Sequence, residues 1–386
     1  MLVTLPFVLL LLDYWPLGRW QRAMSDRAES RFKLASRLLF EKVPFFILTI
    51  ALSIITFWAH NKEGSFSSGE LIPFLTRVAN ATISYATYLE KIFWPVSLAI
   101  YYPYEVSLPL WKVLISGLIL ILITVIVLYF VRKMPFLFVG WFWYVGTLIP
   151  VIGFVQVGSQ SMADRYTYLP SIGIGIMLTW VIFYLIKSES VSNKVLFPSA
   201  IALLLVSAVL TWQQCVYWKN SITLFSRTLQ VTKNNYIAHN HLASALQKKR
   251  NFEKAIYHYN EAIRIEPTYS QAYYNRGTTY YILGRKQLAL DDFKKAIRTT
   301  PKSPKFVSVY NNIGVTYYDI GQYQLAIENF DEATRIKPDY ADAFNNRAFV
   351  YLNTGNIESA CRDAKKACEL RNCATLQTAV SKGLCR

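Results

Sequence analysis

An acidic and a basic residue, Asp164 and Arg165, stand side by side where a polar loop meets a long apolar run, and Tyr166 and Tyr168 follow them. Arginine presents a planar fork of donors that matches a phosphate group, and tyrosine rings can lie along the acyl or sugar portion of a lipid carrier. These residues could therefore bind a phosphorylated lipid. The simpler alternative is an interfacial anchor, in which Arg165 reaches lipid headgroups and Asp164 caps the following helix.

A second set of polar side chains shares one register in the C-terminal half. Asn275, Asn312 and Asn346 hold equivalent positions in successive helices, and His241 holds that position in the first. Asparagine is unfavourable inside a helix, so its repetition needs a reason. The amides are either solvated residues or a ladder that hydrogen-bonds an extended peptide in a concave groove. We favour the ladder, which resembles the one in the repeat groove of O-GlcNAc transferase.

Four of the five cysteines lie in the last 26 residues, at Cys361, Cys368, Cys373 and Cys385. If this end of the chain is outside the cytoplasm, disulfides that staple it are the natural interpretation. A zinc site is the alternative, but the spacings of 7, 5 and 12 residues contain no C-x-x-C pair. We therefore predict disulfides and no metal.

The segment that carries the asparagines and cysteines repeats with a fixed period. Small residues recur at Ala255, Ala289, Ala326 and Ala360, spaced by 34, 37 and 34 residues. A large aromatic residue follows four positions later in three of the units, and another alanine follows seven positions later in all four. This pattern resembles the tetratricopeptide repeat (TPR), a helix pair that stacks into a solenoid. We predict a linker helix in 219–234, four repeats in 235–371 and a capping helix in 372–386.

Long apolar runs dominate the first 218 residues. A helix needs about 20 mostly apolar residues to cross a bilayer. Runs of this kind predict about six spans, at 1–17, 43–60, 111–131, 136–158, 168–186 and 195–217. The predicted fold class is therefore all-α, with a polytopic transmembrane helix bundle in 1–218 followed by a TPR α-solenoid.

The distribution of basic residues predicts the orientation. The connection 13–42 contains seven lysines and arginines, whereas the longer segment 61–110 contains three. Cytoplasmic connections retain Lys and Arg, so the first connection lies inside, and threading onward leaves the repeats outside the cytoplasm. The aromatic segment Tyr88–Pro103 is interrupted by charges and prolines. We interpret it as an interfacial or re-entrant element, since a further span would invert this arrangement.

The net charge of the chain and its distribution limit the classes of molecule that the chain is expected to bind. The formal net charge of +17 divides as +6 up to Trp218 and +11 after it, which suits a protein lying against anionic membrane lipid. The charges are scattered along helices without a nucleic-acid-binding motif, so we expect no nucleic acid. A transporter is also disfavoured, because the predicted spans lack charges at mid-membrane.

Motifs throughout the chain resemble the transmembrane-and-TPR-containing (TMTC) family and its bacterial relatives. They are MADRYTYLPSIG at 162–173, Leu5-Pro6 with the segment 9–16, Trp94-Pro95, and the junction that begins at Trp218. The family is similar to GT-C glycosyltransferases, which move a sugar from a polyprenyl-phosphate carrier to Ser or Thr hydroxyls of proteins outside the cytoplasm. The resemblance implies that Arg165 contacts the carrier phosphate and that Asp164 orients Arg165 or a sugar hydroxyl. It also implies a bacterial inner membrane or the endoplasmic reticulum.

One expected feature of such enzymes is missing from this sequence. The resemblance implies a catalytic acidic residue in a first external loop, whereas Met1 here begins partway through a helix. The catalytic residue is therefore unknown, and we expect no transfer activity from this chain without a separate chain that supplies the preceding spans.

These observations predict a membrane-embedded TPR protein that resembles the C-terminal portion of a protein O-glycosyltransferase of the O-mannosyltransferase type. Its sugar donor would be linked to polyprenyl phosphate, and its TPR groove would bind acceptor or partner proteins. The alternative is a non-enzymatic scaffold, anchored in the membrane, that gathers proteins outside the cytoplasm.

Overall fold

The computed structural model describes residues 2–19, 31–62, 72–104, 108–154, 160–186, 192–299 and 307–385. The chain divides into two compact units, Met1–Lys233 and Asn234–Arg386. Both are helical, and the predicted fold class is confirmed. The end of the predicted span 136–158, at 155–158, lies outside the described residues.

In its described residues, the first unit consists mostly of apolar helices. Its helices are α1 (Leu5–Tyr14), α2 (Arg31–Phe40), α3 (Val43–Lys62), α4 (Phe74–Phe93), α5 (Leu110–Phe130), α6 (Pro135–Leu148), α7 (Tyr168–Leu185), α8 (Phe197–Tyr217) and α9 (Ser221–Val231). A 3-10 turn, Asp164–Thr167, leads directly into α7.

The apolar helices fall into two groups according to the length of their apolar stretch. Among the described residues, three helical stretches are long and apolar enough to cross a membrane: Leu110–Phe130, Asp164–Leu185 and Lys194–Tyr217. Shorter apolar helices occur at Leu5–Tyr14, Val43–Thr56 and Pro135–Leu148, which overlap the other three predicted spans. The number of spans and their orientation stay predictions.

Helices α6 and α7 cross at two glycines. A Cβ added to Gly140 would lie 2.4 Å from the carbonyl oxygen of Gly173, and one added to Gly173 would lie 2.3 Å from the carbonyl oxygen of Gly140. Small residues permit this close approach of two backbones. Buried aromatic side chains surround the crossing, including Trp141 and Tyr144. The crossing fixes α7 and therefore the turn that precedes it.

Two short strands connect distant segments of the first unit. Strand β1 (Tyr102–Pro103) pairs in an antiparallel arrangement with β2 (Gln160–Met162), so that Tyr102 lies opposite Met162. The segment Tyr88–Pro103 therefore consists of the end of α4, an irregular loop and β1. This pairing brings the loop after α4 to the turn before α7.

Over its described residues, the second unit consists of four antiparallel helix pairs and a final helix. The pairs are α10 (Tyr236–Lys248) with α11 (Phe252–Ile265), α12 (Ser270–Ile282) with α13 (Lys286–Thr299), α14 (Val307–Asp319) with α15 (Tyr323–Ile336), and α16 (Ala341–Asn353) with α17 (Ile357–Glu369). Helix α18 (Ala374–Ser381) follows them.

The repeated small residues explain why these helices pair closely. The four alanines that begin the repeat pattern have no exposed surface. A Cβ added to Gly314 would lie 2.6 Å from the ring of Phe330, so the glycine makes room for the aromatic residue of the second helix. Gly277 and Phe293 form the same contact in the preceding repeat.

Candidate functional site

The predicted lipid-phosphate site lies where β2 leads into α7. Asp164 begins the 3-10 turn, and its Oδ2 accepts hydrogen bonds from the backbone nitrogen of Ala99 (2.7 Å) and the hydroxyl of Tyr102 (2.8 Å). Its Oδ1 is buried and has no hydrogen-bond partner among the described residues. Asp164 therefore fastens the loop after α4 and retains one unused acceptor atom.

Arg165 is exposed beside this carboxylate. Its Nη1 donates to the carbonyl oxygen of Ile100 and its Nη2 to Oε1 of Gln160, both at 3.3 Å. The guanidinium carbon lies 5.1 Å from the ring centre of Tyr166, whose hydroxyl accepts a 2.6 Å hydrogen bond from Nε2 of Gln160. These contacts orient the guanidinium while leaving it accessible to an anion. Tyr168, at the start of α7, is 77% exposed.

Asp164 does not orient Arg165 by a direct contact. The hydrogen bonds of the carboxylate go to the loop after α4, whereas those of the guanidinium go to Ile100 and Gln160. The two adjacent side chains thus hold the same loop at different points.

Sequence reasoning missed three residues, two on α4 and one on β1. The hydroxyl of Tyr88 donates to the carbonyl oxygen of Ala163 (3.1 Å) and accepts from the backbone nitrogen of the same residue (2.8 Å). Lys91 Nζ donates to the carbonyl oxygen of Ser97 at 3.1 Å and lies 5.0 Å from the ring centre of Tyr102. Burial raises the pKa of Tyr88 and of Tyr102 and lowers the pKa of Lys91. The sequence signal for the two tyrosines was the aromatic composition of this segment, and Lys91 was one of the charges that interrupt it.

The predicted peptide-binding asparagines bond to the preceding repeat. Nδ2 of Asn275 donates to Oδ1 of Asn240, and Nδ2 of Asn346 donates to Oδ1 of Asn311, both at 2.9 Å. Nδ2 of Asn312 donates to a tyrosine hydroxyl of the preceding repeat at 3.3 Å. The amides therefore connect neighbouring repeats, and these bonds fix their orientation.

In the first repeat, His241 is exposed, while a neighbouring histidine contacts the second helix of the repeat. Nδ1 of His239 lies 3.0 Å from Nδ1 of His258. Burial, followed by the proximity of His258, lowers the pKa of His239 to about 4. Burial also lowers the pKa of His258. Sequence reasoning missed this pair because it followed only the register of the asparagines.

The C-terminal cysteines are joined in two disulfides. Cys361 pairs with Cys385, and Cys368 pairs with Cys373. The first bridge attaches the end of the chain to α17, and the second spans the turn between α17 and α18. Cys215 on α8 is free and exposed. Within the described ranges, no three His, Cys, Asp or Glu side chains are grouped so that they could hold a metal ion.

Comparison with protein families identifies the helix pairs. A TPR family model matches residues 251–284 and 314–355, and two tetratricopeptide repeat models match 270–303 and 341–372. The C-terminal unit is an array of tetratricopeptide repeats.

Curated relatives extend this result. Protein O-mannosyl-transferase TMTC3 of Homo sapiens is 29% identical over 153 residues, which cover 39% of this chain and 16% of that protein. The Mus musculus protein of the same name is 31% identical over the same shares of the two chains. This chain resembles the TMTC protein O-mannosyl-transferases in its TPR region. The match spans 16% of the length of these relatives.

Solved TPR structures are also similar in part. The crystal structure of MamA is 24% identical and covers 39% of this chain and 86% of the MamA chain, with a TM-score of 0.36.

Proposed function

We propose that the chain is a membrane-embedded component of a protein O-glycosylation system. Its membrane unit would bind a polyprenyl-phosphate-linked sugar at the Asp164–Arg165 turn, and its TPR groove would bind acceptor proteins. The observation that carries the proposal is the exposed Arg165 guanidinium, held by two hydrogen bonds, next to a carboxylate oxygen of Asp164 that has no partner in the described part of the chain.

The chemistry of the turn suits a sugar phosphate. A guanidinium with a fixed orientation binds phosphate oxygens through charge-assisted hydrogen bonds. The unused Oδ1 of Asp164 would accept a hydrogen bond from a sugar hydroxyl, which requires the side chains that cover this oxygen to move. Tyr166 and the exposed Tyr168 would contact the less polar part of the carrier.

The TPR groove would hold the acceptor protein as an extended peptide. A primary amide carries two N–H donors, so Asn275, Asn312 and Asn346 each retain one donor beyond the inter-repeat bond. Because those bonds already orient the side chains, less conformational entropy is lost when a peptide binds.

The proposed location is a bacterial inner membrane or the endoplasmic reticulum, with the repeats outside the cytoplasm. The distribution of Lys and Arg among the connections supports this orientation, and so do the two disulfides, which persist in oxidising compartments. Sugar transfer also needs a general base for the acceptor hydroxyl. We assign that role to no residue of this chain, so its proposed contribution is binding.

The test is a titration of the purified full chain with polyprenyl phosphate in nanodiscs of zwitterionic lipid. Arg165→Ala should weaken binding about tenfold or more, as expected for loss of charge-assisted hydrogen bonds. Arg165→Lys should give an intermediate affinity, because it keeps the charge and loses the fork. Arg285→Ala, at an exposed arginine in a repeat turn, is the control. Unchanged affinity in Arg165→Ala would reject the proposed site.

A second candidate function is the non-enzymatic scaffold. One observation favours it: the similarity to the TMTC relatives lies in the TPR region. A scaffold should show no affinity for polyprenyl phosphate in the same titration, and its capture of partner proteins should be insensitive to Arg165→Ala.

A further inference from the structure

Lys91, in the last turn of α4, contacts the same loop as Arg165. Lys91 Nζ donates to the carbonyl oxygen of Ser97, and Arg165 Nη1 donates to the carbonyl oxygen of Ile100. The loop between these carbonyls is fastened by Asp164 through the backbone nitrogen of Ala99. The two cations are therefore held at two points, three residues apart, on one fixed loop.

The ammonium group of Lys91 has unused bonding capacity. It carries three N–H donors, and its hydrogen bond in the described part of the chain is the one to Ser97. No carboxylate forms an ion pair with it there, although Asp164 and Glu90 are close enough to raise its pKa. Burial outweighs their effect and lowers the pKa of Lys91. A half-buried cation in this state would be stabilised by a bound anion.

A purely positional role is the simpler explanation for Lys91. Its bond to Ser97 and its contact with the ring of Tyr102 would help to shape the loop. This role explains one of the three donors. It accounts for the contact of the charge with the ring of Tyr102, but it leaves two donors unused and the charge without an ion-pair partner in the described part of the chain.

We propose that Lys91 is a second contact for the phosphate group of the polyprenyl carrier, an inference that rests on the proposed function of the Arg165 turn. Arg165 supplies an oriented fork, and Lys91 supplies a compact charge at the other end of the fastened loop. The recognised group is then the phosphate on its lipid carrier, whose negative charge attracts both cations.

The experiment compares three variants of the full chain in nanodiscs of zwitterionic lipid, titrated with polyprenyl phosphate. Lys91→Met should weaken binding about tenfold, the loss expected for one charge-assisted hydrogen bond. Lys91→Arg, which keeps the charge, should stay within about threefold of the wild-type affinity. Lys112→Met is the matched control, because Lys112 also lies over an aromatic ring, 5.8 Å from the ring centre of Trp111, and should leave the affinity unchanged.

The affinities of Lys91→Met and Arg165→Ala together decide between the role of Lys91 and the proposed function. Equal affinity of Lys91→Met and the wild type, with Arg165→Ala weakened, would overturn the role of Lys91 and leave the proposed function intact. Unchanged affinity in both variants would overturn both. Inorganic phosphate is titrated in parallel, and binding as tight as that of polyprenyl phosphate would overturn the lipid carrier as the ligand.

A pH profile keeps the test valid if Lys91→Met does not fold. The ammonium of Lys91 loses its proton at a pH below the usual lysine value, because its pKa is lowered. The wild-type affinity should therefore fall as the pH is raised toward 10, whereas Lys91→Arg, which remains charged, should resist this fall. A positional role predicts the same profile for both proteins.

Discussion

Oδ2 of Asp164 and the hydroxyl of Tyr102 are 2.8 Å apart, although 62 residues separate them in the sequence. The same oxygen accepts the backbone N–H of Ala99. One carboxylate therefore determines how the loop after α4 meets the turn before α7. Because Arg165 and Lys91 donate to carbonyls of this loop, the shape of the proposed phosphate site depends on Asp164.

Replacing Asp164 by alanine should destabilise the first unit. The change removes the charged acceptor of two hydrogen bonds, so the free energy of unfolding should fall by about 2 kcal/mol. The loss stays moderate because the backbone nitrogen of Ala99 keeps the hydroxyl of Tyr102 as an acceptor, and that hydroxyl keeps the carbonyl oxygen of Ser97. Tyr102→Phe removes one donor and should cost less. Thermal unfolding in detergent measures both. The double variant removes both acceptors of the backbone nitrogen of Ala99, so it should unfold at a lower temperature than Asp164→Ala; equal temperatures would contradict this network.

Removing the side chain of Asp292 in the second repeat should strongly destabilise the protein. It accepts two hydrogen bonds of 2.7 Å from Arg276, and the two side chains are 4% and 15% exposed. Asp292→Ala leaves a buried guanidinium without its counter-charge and should cost about 3–5 kcal/mol. Urea unfolding of the full chain, followed by the signal of the TPR unit, measures the loss.

The third repeat supplies the control for this ion pair. There Ile313 and Asn329 occupy the positions of Arg276 and Asp292. The double variant Arg276→Ile with Asp292→Asn copies this pair, so it should recover most of the stability that Asp292→Ala loses. A double variant less stable than Asp292→Ala would show that the ion pair itself, rather than the unpaired charge, determines the result.

Local spacing made the TPR fold predictable from the sequence. Ala289 and Phe293 are four residues apart on one helix, so their periodicity directly reports the packed face. The partners of Asp164 are 62 and 65 residues away, and nothing in the sequence marks Ala99 or Tyr102 as ligands of a carboxylate. The site was therefore predicted at Asp164 and Arg165, while the loop that completes it required the tertiary structure.

Replacing Arg250 by glycine should stabilise the protein. Its φ of +61° is left-handed, and the equivalent turn positions in the other repeats are Gly284, Gly321 and Gly355, with φ of 73°, 80° and 81°. A residue with a Cβ is destabilised by about 1 kcal/mol or more in this conformation. Arg250→Gly should therefore raise the free energy of unfolding by about that amount, which a higher urea midpoint measures. Lys249→Gly, where φ is −85°, is the control and should not stabilise; equal gains in both would refute the explanation.

Acid should destabilise the first repeat through its histidine pair. The pKa of His239 is lowered to about 4, and that of His258 is lowered as well, from values near 6.5 in an unfolded chain. The unfolded state then binds more protons, so the stabilisation is complete above pH 6.5 and is lost as the pH falls from 6.5 towards 4. Melting temperatures of the full chain across this range measure the effect.

The controls for the pH effect come from the same repeat. The double variant His239→Gln with His258→Gln should flatten the dependence of melting temperature on pH between 6.5 and 4. Burial lowers the pKa of His241 as well, so His241→Gln should remove a smaller part of the slope than the double variant removes. Glu261, whose charge raises the pKa of both histidines of the pair, opposes the effect, so Glu261→Gln should steepen the slope. The same slope in the double variant and the wild type would show that other groups control it.

The disulfides provide a test of where the repeats are located. Cys361 and Cys385 are 24 residues apart, and reduction of a bridge that closes a loop of this length should cost about 3 kcal/mol in the chain-entropy account. Cells are treated with a thiol-alkylating reagent before lysis, and the chain is then denatured and analysed by mass. If the repeats lie outside the cytoplasm, one of the five cysteines, Cys215, should be alkylated without reductant and all five after reduction. Alkylation of all five without reductant would show that the bridges do not form in the cell, and would contradict the proposed orientation, because a cytoplasmic compartment keeps such thiols reduced.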